Sequence, residues 1–221
     1  MEKVLHYIHD PLCGWCYGAD ALIEVAARLA PGQFEIRLHA GGLFMRTRLS
    51  EVNRAHIRSA DARIGEITGQ VFGEAYLEGL LSDPATVYDS SQPIRAILAA
   101  DAVKPGSGLL MLKALQRAHY QRGLRIVEKP TIVELADTIG LDAAQFTYAF
   151  ETVGNEELAE HLETTHELMR KVGVQGFPAF VAQVGDRHER LPHERFFGNA
   201  AAFTEQVARF LVTTREAGVP E

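Results

Sequence analysis

The chain contains two cysteines, and they stand together as Cys13-Gly14-Trp15-Cys16. A thiol pair at this spacing can exchange a disulfide with a substrate, supply part of a metal site, or fill a core as two small apolar side chains. A structural zinc takes four protein ligands. His9 can add a third and His6 a fourth, but they lie three apart in what reads as a strand and so face opposite sides. The redox reading is therefore preferred, with no metal and no cofactor expected. The motif falls between a short strand and a helix, which favours this chemistry. Cys13 stands at the helix start, where unpaired amides and the positive end of the dipole favour a thiolate. Cys16 lies one turn further in, within reach of a mixed disulfide on Cys13. Cys13 is thus expected to be the nucleophile and the more acidic, more exposed thiol, with Cys16 resolving. Gly14 admits the close approach of another backbone, and Trp15 offers a large apolar face to a substrate.

The flanking elements fit this placement. Val4-Leu5-His6-Tyr7-Ile8 is a nearly continuous apolar run, as in a central strand covered on both faces. From Gly14 or Trp15 to about Ala30 the period is helical, with Leu22, Val25, Ala26 and Leu29 on one side and Pro31-Gly32 as the stop. Phe34, Ile36, Leu38 and Ala40 then alternate with Glu35, Arg37 and His39, which predicts a half-covered strand at a sheet edge. Strand, helix and strand with short joins make a βαβ unit, so the two strands should run parallel.

From Ser50 to about Val172 the chain reads almost wholly as helices. Ser50, Ser91, Ser107, Asp142 and Asn155 serve as expected starts, Pro130-Thr131 opens another, and Gly140 closes it. The last carries Leu158, Leu162, Thr165, Met169 and Val172 as a stripe, read as helix-bundle core. After Gly173 strands return: Ala179-Phe180-Val181-Ala182, a Gly185-Asp186 turn, and a more polar strand around Glu189-Arg190-Leu191. Asn199 caps a final helix with Phe203, Val207, Phe210 and Leu211. The expected organisation is one α/β sheet built from 1–45 and 173–221, with 46–172 inserted as a helical domain.

Composition narrows the function. At 221 residues, 47% hydrophobic and 23% charged, the chain can bury a full core without staples. Its formal charge of −7 with no basic run argues against nucleic acid or an anionic membrane surface as partner. No apolar run approaches the roughly 20 residues of a membrane span. The first residues are too short and too broken an apolar run for a secretory leader, so the expected location is cytoplasmic.

The run Asp10-Pro11-Leu12-Cys13-Gly14-Trp15-Cys16-Tyr17-Gly18 resembles the active-site segment of the DsbA family of thiol–disulfide oxidoreductases, in particular the intracellular branch described as predicted protein-disulfide isomerases. Gly173-Val174-Gln175-Gly176-Phe177-Pro178-Ala179-Phe180 resembles the stretch carrying that family's cis-proline. A large helical insertion between two halves of a thioredoxin-like fold is the third match. The resemblance implies that Pro178 is cis and faces the cysteines, and that Phe177 presents its backbone to the substrate. Phe177 departs from the smaller Val or Thr common there. Gly14-Trp15 departs from the Pro-His of DsbA itself, whose histidine helps hold a thiolate. Asp10 would oppose a thiolate placed near it. The expected couple is therefore less oxidising than DsbA, nearer a reductase or isomerase. The sibling branch of glutathione-dependent isomerases and kappa-class transferases typically has serine at the first position. Cys13 argues against that branch and leaves glutathione open as reductant.

The resulting expectation is an oxidoreductase or isomerase that exchanges a Cys13–Cys16 disulfide with thiol- or disulfide-containing proteins or small thiols, with glutathione or another redox donor as partner. A glutathione-linked small-molecule isomerase or transferase and a redox-independent chaperone-like module are the alternatives. Weaker candidates have blander readings. His56, His119, His161 and His166 are expected at the surface, Gly41-Gly42 in a turn, and Phe44 and Met45 either in the core or along a peptide groove.

Overall fold

The computed structural model describes residues 1–212; the last nine residues of the expected second half, 213–221, lie outside the described residues. Strand β1 (Lys3–His9) has every residue from Val4 onward buried, which is why its apolar run is unbroken. It pairs in parallel with β2 (Glu35–Ala40) and antiparallel with β5 (Ala179–Val184), which pairs in turn with β6 (Arg187–Leu191). The order β2-β1-β5-β6 leaves β2 and the polar β6 at the edges, as their patterns require. Gly185, at φ 56°, makes the β5–β6 turn.

One face of the sheet carries Leu5, Tyr7, Phe180 and Leu191. It shares a continuous core with α2 (Asp20–Leu29), α9 (Ala200–Leu211) and the inserted helices. Those are α3 (Glu51–Thr68), α4 (Ser91–Val103), α5 (Ser107–Tyr120), α6 (Lys129–Thr138), α7 (Ala143–Thr152) and α8 (Asn155–Val172). On the opposite face Ile8, Ala179 and Val181 meet Leu168, Met169 and Val172 of α8. The α8 stripe therefore covers the sheet instead of filling a helix bundle: Leu158 and Leu162 reach Ala40 at the end of β2 and Ile94 of α4. Periodicity identified the buried face but not what buries it.

Several expected starts hold and others shift. The Ser50, Asp142 and Asn199 side chains accept from the amides of Asn53, Gln145 and Ala202. Ser91, Ser107 and Asn155 are instead first helical residues, following Ser90, Gly106 and Gly154. At α4 the Ser91 amide bonds to the Asp89 carboxylate, because the Ser90 hydroxyl is engaged elsewhere. The stretch read as wholly helical also contains a small antiparallel pair, β3 (Thr47–Arg48) with β4 (Val87–Tyr88), and a π-helical turn at Ala75–Leu80.

The helix expected from 14 to 30 is divided. Helix α1 (Gly14–Gly18) stops at Ala19, whose φ and ψ of −82° and 1° leave the helical region. The Tyr7 hydroxyl donates to the Cys16 carbonyl at 3.3 Å, satisfying a carbonyl near the break. The break lets α1 lean on α3. A methyl added at Gly18 would lie 2.8 Å from the Ile64 side chain, so only glycine permits that approach.

Candidate active site

The loop after β1 is fixed by a buried carboxylate. Asp10 is fully buried; its Oδ1 accepts from the Leu12 amide at 2.8 Å and the Ser90 hydroxyl at 3.0 Å, and its Oδ2 from the Leu43 amide at 2.7 Å. It ties the cysteine loop to the segment after β2 and to the start of α4. Burial lifts its carboxyl to about 6, against the pull of those donors. The Asp10 amide donates to Cys16 Sγ at 3.4 Å. Read from sequence only as a charge opposing a thiolate, Asp10 is mainly a clamp.

Cys13 takes the N-cap position of α1, and both cysteines are free thiols. Cys16 has no exposed surface, whereas Cys13 keeps 8%. Burial pushes the Cys16 thiol up, and the adjacent Cys13 adds to the rise. Cys13 Sγ donates to the Phe177 carbonyl at 3.6 Å, and the Phe177–Pro178 bond is cis. Trp15, Phe177, Pro178, Arg63, Arg190 and Phe197 line a groove of about 430 Å³. The Trp15 and Phe197 rings lie 5.1 Å apart. Cys13, Trp15, Phe177 and Pro178 are thus brought together. Gly14 serves differently from expected: what approaches it is a side chain, since a methyl there would lie 2.5 Å from Asp61 Oδ1.

Gly41 and Gly42 have separate uses. Gly42, at φ 70°, makes the turn. Gly41 leaves room for the Phe177 ring, which a methyl would meet at 2.0 Å. Phe44 bonds through its backbone to Ser90 and leans its ring on Tyr88, while Met45 is exposed.

The surface reading of the histidines is correct for His56 alone. His119 is buried among Tyr76, Tyr88 and Tyr120. His161 and His166 reach from α8 to the end of β2: the Ala40 amide donates to His161 Nε2 at 3.0 Å, and His166 Nε2 bonds to the Gly41 carbonyl at 2.9 Å. His6 bonds to His39 and Gln183, on the face opposite His9, which stacks on Tyr7. His6 therefore cannot join the cysteines around one metal ion. These partners come from distant segments, so no local spacing revealed them.

Burial lowers His9 and His39 to about 3 and His119 to about 4. The unfolded chain then binds more protons between these values and the usual 6.5, so their contribution is complete above pH 6.5 and is lost as pH falls toward 4. Asp10 and Asp61, both raised to about 6, act oppositely between pH 6 and 4. With His6, His161 and His193 also lowered, the histidines outnumber the carboxyls. Thermal unfolding at pH 5 should occur below that at pH 7.5, and His119→Leu should flatten the difference. A higher Tm at pH 5 would contradict this balance.

The DSBA-like thioredoxin domain family matches residues 5–208. This chain belongs to that family. It is a thiol–disulfide oxidoreductase of the DsbA-like type, with the thioredoxin-like fold and helical insertion expected. Among solved structures it is similar to the cytosolic disulfide reductase DsbM from Pseudomonas aeruginosa, with 37% identity over 93% of this chain and 97% of that one and a TM-score of 0.86. The same protein solved with GSH matches at 37% identity over 93% and 98%, with a TM-score of 0.84. Reduced DsbA1 from Neisseria meningitidis shares the fold at 10% identity, 93% and 81% coverage and a TM-score of 0.54. A search of curated proteins found no match. Among the described residues, no helix of this DsbA-like chain is long and apolar enough to cross a membrane.

Proposed function

We propose that this DsbA-like chain is a cytoplasmic disulfide reductase with isomerase capacity that takes electrons from glutathione. Cys13 attacks the substrate disulfide, Cys16 displaces the substrate, and Trp15, Phe177 and Pro178 form the docking surface. The observation that carries the reading is Cys13 Sγ against the carbonyl of Phe177, a residue that lines the groove, with Cys16 fully buried. An extended substrate strand can pair with that backbone. Arg63 and Arg190 on the groove wall offer guanidinium groups to the two carboxylates of glutathione, Arg190 from its ion pair with Glu194. The DsbM structure containing GSH supports the same choice of thiol. Residues 46–172 act as an inserted helical domain walling Cys13 on its α3 side.

The chemistry balances. Cys13 thiolate attacks a disulfide, forming a mixed disulfide and releasing one thiolate. Cys16 then attacks Cys13, releasing the second. Two glutathione molecules reduce the resulting Cys13–Cys16 disulfide and leave as glutathione disulfide. Equilibration in glutathione redox buffers tests the direction of flow. With no histidine inside the motif and Cys16 raised by burial, the potential should be more negative than about −180 mV, against about −120 mV for DsbA. A value near that of DsbA would make the protein an oxidant and overturn the reductase reading.

A further inference from the structure

Cys13 borders a second cavity, of about 330 Å³, on its α3 side. Phe44, Ile57, Tyr76 and Tyr88 wall it, and Asp61 enters it beside Gly14. Asp61 is 2% exposed. Its Oδ2 accepts from the Tyr76 hydroxyl at 2.8 Å, while among the described residues no hydrogen bond reaches Oδ1. Arg58, whose charge reaches Asp61, makes its hydrogen bonds to the Leu77 carbonyl, the Ser82 hydroxyl and Glu78 instead. Tyr76, Tyr88 and Tyr120 are the other titratable groups around the carboxyl, with His56 at the cavity wall. A carboxylate oxygen with no protein donor, in the wall of a cavity lined by aromatic side chains, suits a positively charged partner.

We propose that this cavity binds the amine-bearing half of a small mixed disulfide, with Asp61 recognising its ammonium group. The inference rests on the reading of Cys13 as the attacking thiol and adds a substrate class to it. Cys13 thiolate attacks the glutathionyl sulfur of the mixed disulfide, and the amine-bearing thiolate leaves into the cavity and takes a proton from water. Cys16 then releases glutathione from Cys13, and two further glutathione molecules reduce the enzyme. The net reaction consumes one mixed disulfide and one glutathione and yields the aminothiol and glutathione disulfide.

The test compares mixed disulfides of glutathione with 2-aminoethanethiol and with its neutral counterpart 2-mercaptoethanol, at pH 7.5, in an assay coupled to glutathione reductase. The amine substrate should be favoured in kcat/KM by about tenfold or more, the scale of one charge-assisted hydrogen bond. Asp61→Asn, which keeps an acceptor for Tyr76, should abolish that preference while still turning over the neutral substrate. A measurement on the unmodified protein guards against misfolding of the variant. 2-Phenylethylamine should slow iodoacetamide labelling of Cys13, and 2-phenylethanol should not. Equal turnover of both substrates by the unmodified enzyme, or equal protection by amine and alcohol, would overturn the proposal and leave the reductase reading intact. No turnover of either substrate, with Cys13 unreactive, would overturn the reductase reading itself.

Discussion

Cys13→Ser should reduce disulfide exchange to background, a loss on the order of a thousandfold or more, because the variant retains no accessible thiol. Cys16 cannot replace it, since it has no exposed surface and burial holds it as a thiol. The fold should be unaffected, since the Cys13 thiol donates only one weak bond, to the Phe177 carbonyl. Cys16→Ser should instead accumulate a mixed disulfide on Cys13, visible by mass spectrometry under non-reducing conditions. Limited alkylation of the reduced protein should label Cys13 first. Exchange persisting without Cys13, or first labelling at Cys16, would reverse the roles assigned to the two thiols. Retained suppression of aggregation alongside lost exchange would separate any chaperone activity from the redox one.

Asp10→Ala should destabilise the protein by about 3 kcal/mol. The substitution strands two backbone amides and a buried hydroxyl, at about 1–3 kcal/mol for each lost partner, offset in part by relief of a costly buried charge. Urea unfolding should show a lower midpoint with an unchanged slope. The folded chain holds the Asp10 proton more tightly than the unfolded one, at about 6 against 3.8. Stability from this group is therefore complete below pH 3.8 and is lost as pH rises through 6, so the cost of the substitution should be larger at pH 5 than at pH 7.5. A loss under about 0.5 kcal/mol at both pH values would show that the loops are held by other contacts. The clamp also bears on function, because Leu43 and Phe44 are positioned through Asp10 and Ser90 beside the second cavity.

The elements that position the cysteines were legible because each depends on local pattern. The apolar run of β1, the alternation of β2 and the glycine turn before β6 encode strand type and edge position within a few residues. Ser50, Asp142 and Asn199 announce helix starts because each caps an amide only three residues away. The chemistry of Cys13-Gly14-Trp15-Cys16 follows from residue type and from its place at the start of α1. Pro178 beside the cysteines followed from family resemblance, since nothing local sets that pairing.

The tertiary structure decided whatever depends on partners far along the chain. Asp10 meets Ser90 across 80 residues, and His161 meets Ala40 across 121. Asp61 lies against Gly14, and the Phe177 ring against Gly41, through helix and loop approaches that no periodicity specifies. The same holds for α8, whose stripe predicted burial correctly and could not say whether a sheet or a bundle would cover it. A hydrophobic period fixes which side chains leave water, because burial favours any apolar surface alike. Which groups meet inside depends on close packing and on the pairing of each buried polar atom, and these are properties of the assembled chain.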